Sequence, residues 1–200
     1  MMFNPSQRNR IRAPRRARRL WVSIAPRAWP LAQFWYRSWG LRLDGRPEDV
    51  VWYFAYGANM HDSAFIERRR MRPTERRVGR LPGYRLRFNL DGFPRGRAAP
   101  ANIQAASESE VWGVLYRITL RELVRLNVTE GVPGPRYQPV ELPVEDADGR
   151  TVPAISYVAE GNPKDGNPSL RYITLLRDGA RAHALPDHWI AYLDSVKHAE

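Results

Sequence analysis

Apolar residues fall into short runs along the chain, and glycine, proline and charged residues separate these runs. Residues 50–56 are seven consecutive apolar or aromatic residues, and residues 111–118 form a second, almost continuous run. Between them, residues 84–88 alternate between apolar residues and arginine. β-Branched and aromatic residues in runs of this length are typical of strands. The pattern therefore predicts three strands, with 111–118 in a central position because it is apolar on both faces.

A hairpin is predicted in the second half of the chain. The runs 136–144 and 151–158 are separated by EDADGR, in which Asp148–Gly149 is a strong hairpin signal. Three prolines interrupt these runs, so the hairpin is expected at an edge of the sheet or with irregular pairing.

Start and stop signals predict four helices. Residues 61–71 follow the first strand, and Pro73 marks the end of that helix. Thr119 and Glu122 have capping-box spacing, which predicts a helix from Thr119 to near Asn127. Two more helices are expected towards the C-terminus, and they begin at Ser169 and Pro186. This order of elements predicts a mixed α+β domain with a curled sheet and short helices, not the regular alternation of a doubly wound fold.

Two segments are predicted as loops or turns. The arginine-rich residues 68–77 are interpreted as a solvated face or loop, because glutamates lie among the arginines. Pro82–Gly83 is interpreted as a turn that enters the strand at 84–88, and DGFPRGRAAP at 91–100 as a loop.

Composition excludes several classes of site. The chain has 200 residues, 43% of them hydrophobic and 26% charged, which suits one folded domain. It contains no cysteine, so disulfides, thiolate metal sites and a cysteine nucleophile are excluded. Its four histidines have no i, i+4 pair, so we expect no metal. The common phosphate-loop, dinucleotide and serine-hydrolase motifs are missing as well.

Positive charge is concentrated at the N-terminus. The first fifty residues hold eleven arginines against three acidic residues, a balance of +8 out of the chain's +11. Four of the seven tryptophans lie there too. We therefore predict a basic, tryptophan-rich extension at 1–49 and a folded domain at 50–200. Because arginine so greatly outnumbers lysine, we expect a bacterial source with a GC-rich genome.

Several interpretations of this extension remain open. Leu31, Phe34, Trp35 and Trp39 follow helical spacing and Gly40 would end the helix, so a short amphipathic helix is one. Arginine beside tryptophan suits an anionic membrane surface or stacking on nucleic acid. A disordered tail, or a segment that exists only because an upstream start codon was chosen, is equally compatible. Prolines break any apolar core that a secretory signal would need, so we expect a cytoplasmic protein.

The end of the first strand is a candidate binding loop. The sequence YFAYGANM places Gly57, Ala58 and Asn59 directly after an apolar run. Glycine allows a positive φ and asparagine tolerates it, so these residues predict a chain reversal. Backbone N–H groups in such a turn can bind an anion or an oxyanion, although an ordinary turn between a strand and a helix has the same pattern.

Glu130 is a candidate acid–base. It lies just beyond the predicted end of the helix that begins at Thr119, and Gly131 follows it. A carboxylate at this position faces the negative end of the helix dipole, which favours proton exchange. A solvent-exposed acid in a loop is the alternative.

Three separated stretches together resemble one family, the gamma-glutamylcyclotransferases. They are YFAYGANM, VWGVLYRIT followed by LNVTEGVPGPRYQPVEL, and PSLRYITLLRDGARAHALPDHWIAYLDSV. Their order and spacing agree over residues 51–196. The resemblance implies a small mixed fold around a compact β-barrel with an internal cavity. It also implies the conversion of a γ-glutamyl amide into 5-oxoproline and a free amine, without a cofactor.

The resemblance assigns roles to particular residues. Glu130 would be the general acid and base. Tyr137 and Tyr172 match aromatic positions near the family's pocket. The γ-glutamyl group would be held by the loop residues Tyr53, Phe54, Ala55, Tyr56, Gly57, Ala58 and Asn59.

Two positions depart from the family pattern. Ala58 replaces the usual serine, which removes a hydroxyl but keeps the backbone N–H. Asn127 stands where an acid commonly precedes the glutamate by three residues.

Three alternatives follow for the function. The chain could be a non-catalytic member that binds a small ligand, or a nucleic-acid or membrane-surface binder that works through its tail. The enzyme is favoured because its signal is positional, and no specific nucleic-acid partner is expected. Glutathione, γ-glutamyl amino acids and γ-glutamylamines are all open as substrates, as are a monomer and a homodimer.

Overall fold

The computed structural model describes residues 29–38, 44–92, 99–132 and 137–199. The arginine-rich start of the chain, Trp39, Gly40 and the middle of the predicted 91–100 loop lie outside these ranges, as does the side chain of Trp35. In chain order the elements are α1 (Trp29–Ser38), β1 (Val50–Ala55), a 3-10 turn (Ala58–Met60), a π-helical segment (Ser63–Arg68), β2 (Glu75–Arg87), β3 (Asn102–Thr119), α2 (Leu120–Glu130), β4 (Gln138–Asp146), β5 (Thr151–Val158), α3 (Leu170–Ala182) and α4 (Asp187–Ser195).

The five strands form a closed barrel in the order β1, β3, β2, β4, β5. β3 pairs antiparallel with β1 on one side and with β2 on the other, so the predicted central position of 111–118 is confirmed. The β4–β5 hairpin around Asp148–Gly149 is confirmed too. The expected curled sheet is therefore a compact barrel with helices at its flanks.

Two short seams close the barrel. β1 pairs in parallel with β5 at only Trp52↔Ala154 and Tyr53↔Ile155. β2 pairs with β4 at only Gly79↔Asp146 and Arg80↔Glu145. The prolines of the hairpin fit this arrangement, because β4 and β5 bond fully only to each other.

A pair of glycines makes room for an aromatic ring inside the barrel. Gly79 and Gly113 face each other on β2 and β3, and the fully buried ring of Phe54 lies over both. A Cβ on Gly113 would be 2.3 Å from the backbone oxygen of Ala55 and 2.9 Å from Cε2 of Phe54. Phe54 can therefore pack here only because both facing positions lack a side chain.

Between residues 58 and 87 the structure differs from the prediction in two segments. The helix predicted at 61–71 is present in part: a six-residue π-helical segment, Ser63–Arg68, has Asp62 at its N-cap as expected, but it ends before Met71. The loop predicted at 68–77 is shorter than expected: it extends to Thr74, and β2 begins at Glu75. Charged partners neutralise its arginines, as where Arg77 bonds to Asp146 across the second seam. At Pro82–Gly83 the strand continues through a shift in register, which the positive φ of Gly83 allows.

Two other elements are longer than predicted. β3 begins at Asn102, because the polar residues after it pair with the far end of β2 rather than pack in the core. α2 continues to Glu130, so this glutamate is the last helical residue and not a loop residue. Gly131 ends the helix with a φ of 81°, in the left-handed region that glycine tolerates.

The capping box at the start of α2 is confirmed. Thr119 Oγ1 accepts from the backbone N–H of Glu122 at 3.2 Å, and the Thr119 N–H donates to Glu122 Oε2 at 3.0 Å. We expect Thr119→Ala to lower the free energy of unfolding by about 1 kcal/mol, because one helix N–H loses its acceptor. Urea unfolding measures this. Thr119→Ser keeps the oxygen and should stay near the parent value; an equal loss in both variants would contradict the cap.

α1 packs a different face from the predicted one. Trp29, Ala32 and Tyr36 are buried, whereas Leu31 and Phe34 are 61% and 65% exposed. Both sets have helical spacing, so periodicity alone could not choose between them. Trp29 Nε1 donates to the backbone oxygen of Gly45 at 2.9 Å, which fixes the start of the helix. The boundary between extension and domain at residue 49 stays a prediction. Within the described ranges, no helix is long and apolar enough to cross a membrane.

Candidate active site

The loop after β1 reverses the chain through the 3-10 turn. The Met60 N–H donates to the Gly57 oxygen at 3.0 Å, and Asn59 is buried. Gly57 itself has a φ of −118°, so the predicted need for a positive φ is wrong. Glycine suits this position because there is little room for a side chain: a Cβ would lie 3.1 Å from the hydroxyl oxygen of Tyr172.

Asn59 connects this loop to Glu130. Its Nδ2 donates to the hydroxyl of Tyr53 at 2.8 Å and to Glu130 Oε1 at 3.2 Å. Two of the loop residues singled out in the sequence are thus in one hydrogen-bonded cluster with the candidate acid–base. Glu130 reaches them because α2 ends at this side of the barrel.

Arg69 completes the cluster, and sequence reasoning missed it. Its Nε donates to Asn59 Oδ1 at 2.7 Å, and an Nη lies 2.9 Å from Glu130 Oε1. Its other Nη donates to Thr129 Oγ1. Nothing in the run of arginines at 68–70 distinguishes Arg69, because its direction depends on the π-helical segment before it.

Tyrosines surround the Glu130 carboxylate. Burial, with a further contribution from the Glu130 charge, raises the pKa of Tyr53 and Tyr157 well above 10. Burial also raises the pKa of Tyr172 to about 12. These phenols are consequently neutral at physiological pH and are able to donate hydrogen bonds.

Tyr137 and Tyr172 meet at the start of β3. The hydroxyl of Tyr137 donates to the backbone oxygen of Ala101 at 2.6 Å, and the Ala101 N–H donates to the hydroxyl of Tyr172 at 3.1 Å. Tyr56 lies close enough to both for them to raise its pKa, after burial as the main cause. The structure therefore brings together the two aromatic residues that the family pattern singled out.

Not every residue of the predicted loop has a side chain in this cluster. Phe54 packs over the glycine pair in the barrel, and Ala55 is a buried strand residue. Ala58 is partly buried against the core, and its backbone hydrogen-bonds to the Tyr172 hydroxyl. The side chains that meet at Glu130 are thus those of Tyr53 and Asn59.

Asn127 joins two phenols beneath the site. Its Nδ2 donates to the hydroxyl of Tyr36 at 2.8 Å, and its Oδ1 accepts from the hydroxyl of Tyr157. The departure from an acid at this position therefore coincides with a buried amide that uses both its donor and its acceptor. Sequence reasoning missed both tyrosines, since the three residues lie on α1, α2 and β5.

The link from Asn127 to α1 is testable. We expect Tyr36→Phe to lower the free energy of unfolding by about 1 kcal/mol, because a buried amide donor loses its acceptor. Leu31→Ala, on the exposed side of the same helix, should change it by less than about 0.5 kcal/mol. Urea unfolding of both variants decides; equal effects would mean that α1 contributes no specific contact through Tyr36.

Two other features lie outside this cluster. A cavity of about 550 Å³ is bordered by residues 88–92 and 164–167, and it shares no residue with the Glu130 cluster. Among the residues that the structure describes, no three histidine, aspartate or glutamate side chains come close enough together to hold a metal ion.

Known proteins resemble this chain in sequence and in fold. Residues 110–193 match the AIG2-like family. Gamma-glutamylcyclotransferase from Bos taurus is 30% identical over 151 residues, which cover 72% of this chain and 78% of the relative. Gamma-glutamyl cyclotransferase aclK from Aspergillus oryzae is also 30% identical, over 72% of this chain and 60% of its own length. A solved gamma-glutamyl cyclotransferase structure superposes with a TM-score of 0.67 at 24% identity, covering 76% of this chain and 90% of the other.

Proposed function

Because the chain belongs to the gamma-glutamylcyclotransferase family, we propose that it converts a γ-glutamyl amide into 5-oxoproline and a free amine. The contact between Glu130 and the loop after β1 carries this proposal. Asn59 Nδ2 and Glu130 Oε1 are 3.2 Å apart although 71 positions separate them in the sequence. The candidate proton carrier and the candidate binding loop are thus close enough to act on one substrate molecule, as an intramolecular cyclisation requires.

In the proposed reaction Glu130 moves protons between two nitrogens. It takes a proton from the substrate's α-ammonium, and the resulting amine attacks the γ-carbonyl carbon of the same molecule. A bond from carbon to the α-nitrogen forms, and Glu130 gives its proton to the leaving nitrogen as the bond to that nitrogen breaks. The Glu130 carboxylate then takes the second proton from the α-nitrogen and passes it to the released amine. Overall the α-nitrogen loses two protons and the released amine carries both, as an ammonium.

The contacts of Glu130 indicate which oxygen would act. Oε1 already accepts from Asn59 and lies 2.9 Å from a terminal nitrogen of Arg69. Among the described residues, Oε2 has no hydrogen-bond partner. Oε2 is therefore the oxygen that we assign to the substrate's ammonium, while the hydrogen bond from Asn59 and the ion pair with Arg69 hold Oε1.

Neutral donors would stabilise the oxyanion. Tyr53 and Tyr172 remain protonated, and their hydroxyls are the donors that we assign to the oxyanion. Oxyanion donors of this kind typically contribute about 10²- to 10³-fold each. Ring closure within one molecule also benefits from proximity, so no nucleophilic side chain is needed.

The test is release of 5-oxoproline by the purified protein. The panel contains γ-glutamyl dipeptides, γ-glutamylamines and glutathione, and we expect release from at least one class. The pattern of rates then defines the leaving amine. A folded protein that releases no 5-oxoproline from any of them would overturn the proposal, and calorimetric binding of the same compounds without turnover would point to a non-catalytic binder.

A further inference from the structure

We propose that Arg69 binds the α-carboxylate of the γ-glutamyl group, so that the site selects substrates with an unmodified α-amino acid end. The inference rests on the proposed function and deepens it. Arg69 has no task in the proton transfers themselves. Its guanidinium nevertheless lies 2.9 Å from the carboxylate that carries them out, with both side chains largely buried at 22% and 13% exposure.

The local backbone conformation directs the side chain of Arg69 towards Glu130. The π-helical segment Ser63–Arg68 ends on it, and the Arg69 N–H donates to the Ala64 oxygen at 3.3 Å. Below the segment, the buried ring of Phe65 stacks on Tyr116 with centroids 4.4 Å apart and on Tyr53 at 5.6 Å. π-Helical turns occur frequently at functional sites, where the wider turn redirects a side chain.

The backbone of the next residue, Arg70, is strained. Arg70 has a φ of 55°, in the left-handed region that side chains other than glycine rarely occupy. Its backbone oxygen is held by an Nη of Arg125 at 2.9 Å. A strained residue persists only where surrounding contacts hold it, so the position of Arg69 is maintained against a local preference.

The guanidinium of Arg69 has more N–H groups than it uses in its contacts with the described residues. It has five N–H groups. Hydrogen bonds to Asn59 and Thr129 use two of them, and one terminal nitrogen lies 2.9 Å from Glu130 Oε1 in an ion pair. In the described part of the chain, one N–H on each terminal nitrogen has no acceptor. Two N–H groups on a guanidinium are what a bidentate bond to a carboxylate requires.

The charges of the site match those of the proposed group. The α-carbon of a γ-glutamyl compound carries an ammonium and a carboxylate side by side. Glu130 and Arg69 present a negative and a positive group side by side, and within the described residues Glu130 forms no other ion pair. With the ammonium at Glu130 Oε2, the neighbouring carboxylate can reach the Arg69 guanidinium, which lies 2.9 Å from the other oxygen of the same group. The ion pair of Glu130 and Arg69 has no net charge, and neither has the zwitterionic end of the substrate. In this arrangement the ammonium faces Glu130 and the carboxylate faces Arg69.

A matched pair of substrates separates this role from a purely structural one. The probes are γ-glutamyl-4-nitroanilide and its α-carboxamide, in which only the α-carboxylate is replaced by a neutral group. We expect the parent protein to favour the acid over the carboxamide by about 10- to 100-fold in kcat/KM, the range for a hydrogen bond to a charged group. In Arg69→Gln the acid should lose that advantage, so kcat/KM should fall by about 10- to 100-fold more with the acid than with the carboxamide.

Controls keep the outcomes distinct. Arg68→Gln alters the exposed neighbouring arginine and should retain the parent preference. Arg69→Lys keeps the charge without the planar fork and should give an intermediate preference, and it serves if Arg69→Gln does not fold. No preference in the parent protein, or equal losses with both substrates in Arg69→Gln, would overturn the inference. No release from either substrate by the folded parent protein, together with a negative panel, would instead overturn the proposed function.

Discussion

Replacing Glu130 with glutamine is expected to lower the rate of 5-oxoproline release by about 10²- to 10⁴-fold, the usual contribution of a general acid–base. Glutamine has the same shape, and its side-chain oxygen can still accept from Asn59 and lie beside Arg69 as Glu130 Oε1 does. The variant therefore loses the proton carrier while the surrounding contacts are kept. The measurement is kcat with the best substrate of the panel, so that a change in binding is separated from a change in chemistry.

Two further variants make this result interpretable. Glu130→Asp retains a carboxylate on a shorter side chain and should recover part of the lost activity. Glu141→Gln removes an exposed glutamate from β4 and should leave kcat unchanged. If Glu130→Gln turned over as fast as the parent protein, another group would have to move the proton, and the assigned role would be wrong.

Gly113→Ala is expected to lower the free energy of unfolding by about 3 kcal/mol, at the upper end of the usual range for overpacking a core. The new methyl group would be 2.3 Å from the backbone oxygen of Ala55 and 2.9–3.0 Å from the ring of Phe54. A backbone atom of a paired strand cannot rotate away as a side chain can. β1 would have to shift, and with it the loop that begins two residues after Ala55.

Gly79→Ala provides the matched comparison. Its Cβ would meet side-chain atoms of Val144, Leu115 and Phe54 at 2.9–3.2 Å, and these can adjust. We therefore expect a smaller loss, about 1–2 kcal/mol, by urea unfolding. Equal losses at the two positions would mean that the approach of Gly113 to the Ala55 backbone is not what matters.

Local signals were sufficient for several parts of the fold. Thr119 with Glu122, Asp148 with Gly149, and Ser169 each act within a few residues, and the structure confirms the cap, the hairpin and the start of α3. The family pattern also singled out Asn59 and Glu130, which lie together. Their roles stay predictions until turnover is measured.

Contacts between distant segments decided the features that the sequence did not reveal. Which face of α1 is buried depends on Tyr36 meeting Asn127, 91 positions further along the chain. The start of β2 depends on the pairing of Glu75 with Arg117 of β3, 42 positions away. Arg69 differs from its arginine neighbours only through a π-helical turn, and no propensity scale anticipates that turn. In each case the local pattern was compatible with more than one arrangement.

The two short seams imply an order of events when the chain folds. The hydroxyl of Ser156 donates to the Phe54 oxygen across 102 positions of sequence, and β1 meets β5 at only two residue pairs. Contacts that close such long loops lose chain entropy before they gain much energy, so they form late. The β4–β5 hairpin joins neighbouring segments of the chain and can form before the barrel closes. Tyr157, which that hairpin carries, reaches Asn127 only when the barrel closes. We therefore expect the cluster of tyrosines around Glu130 to be assembled in the last step of folding.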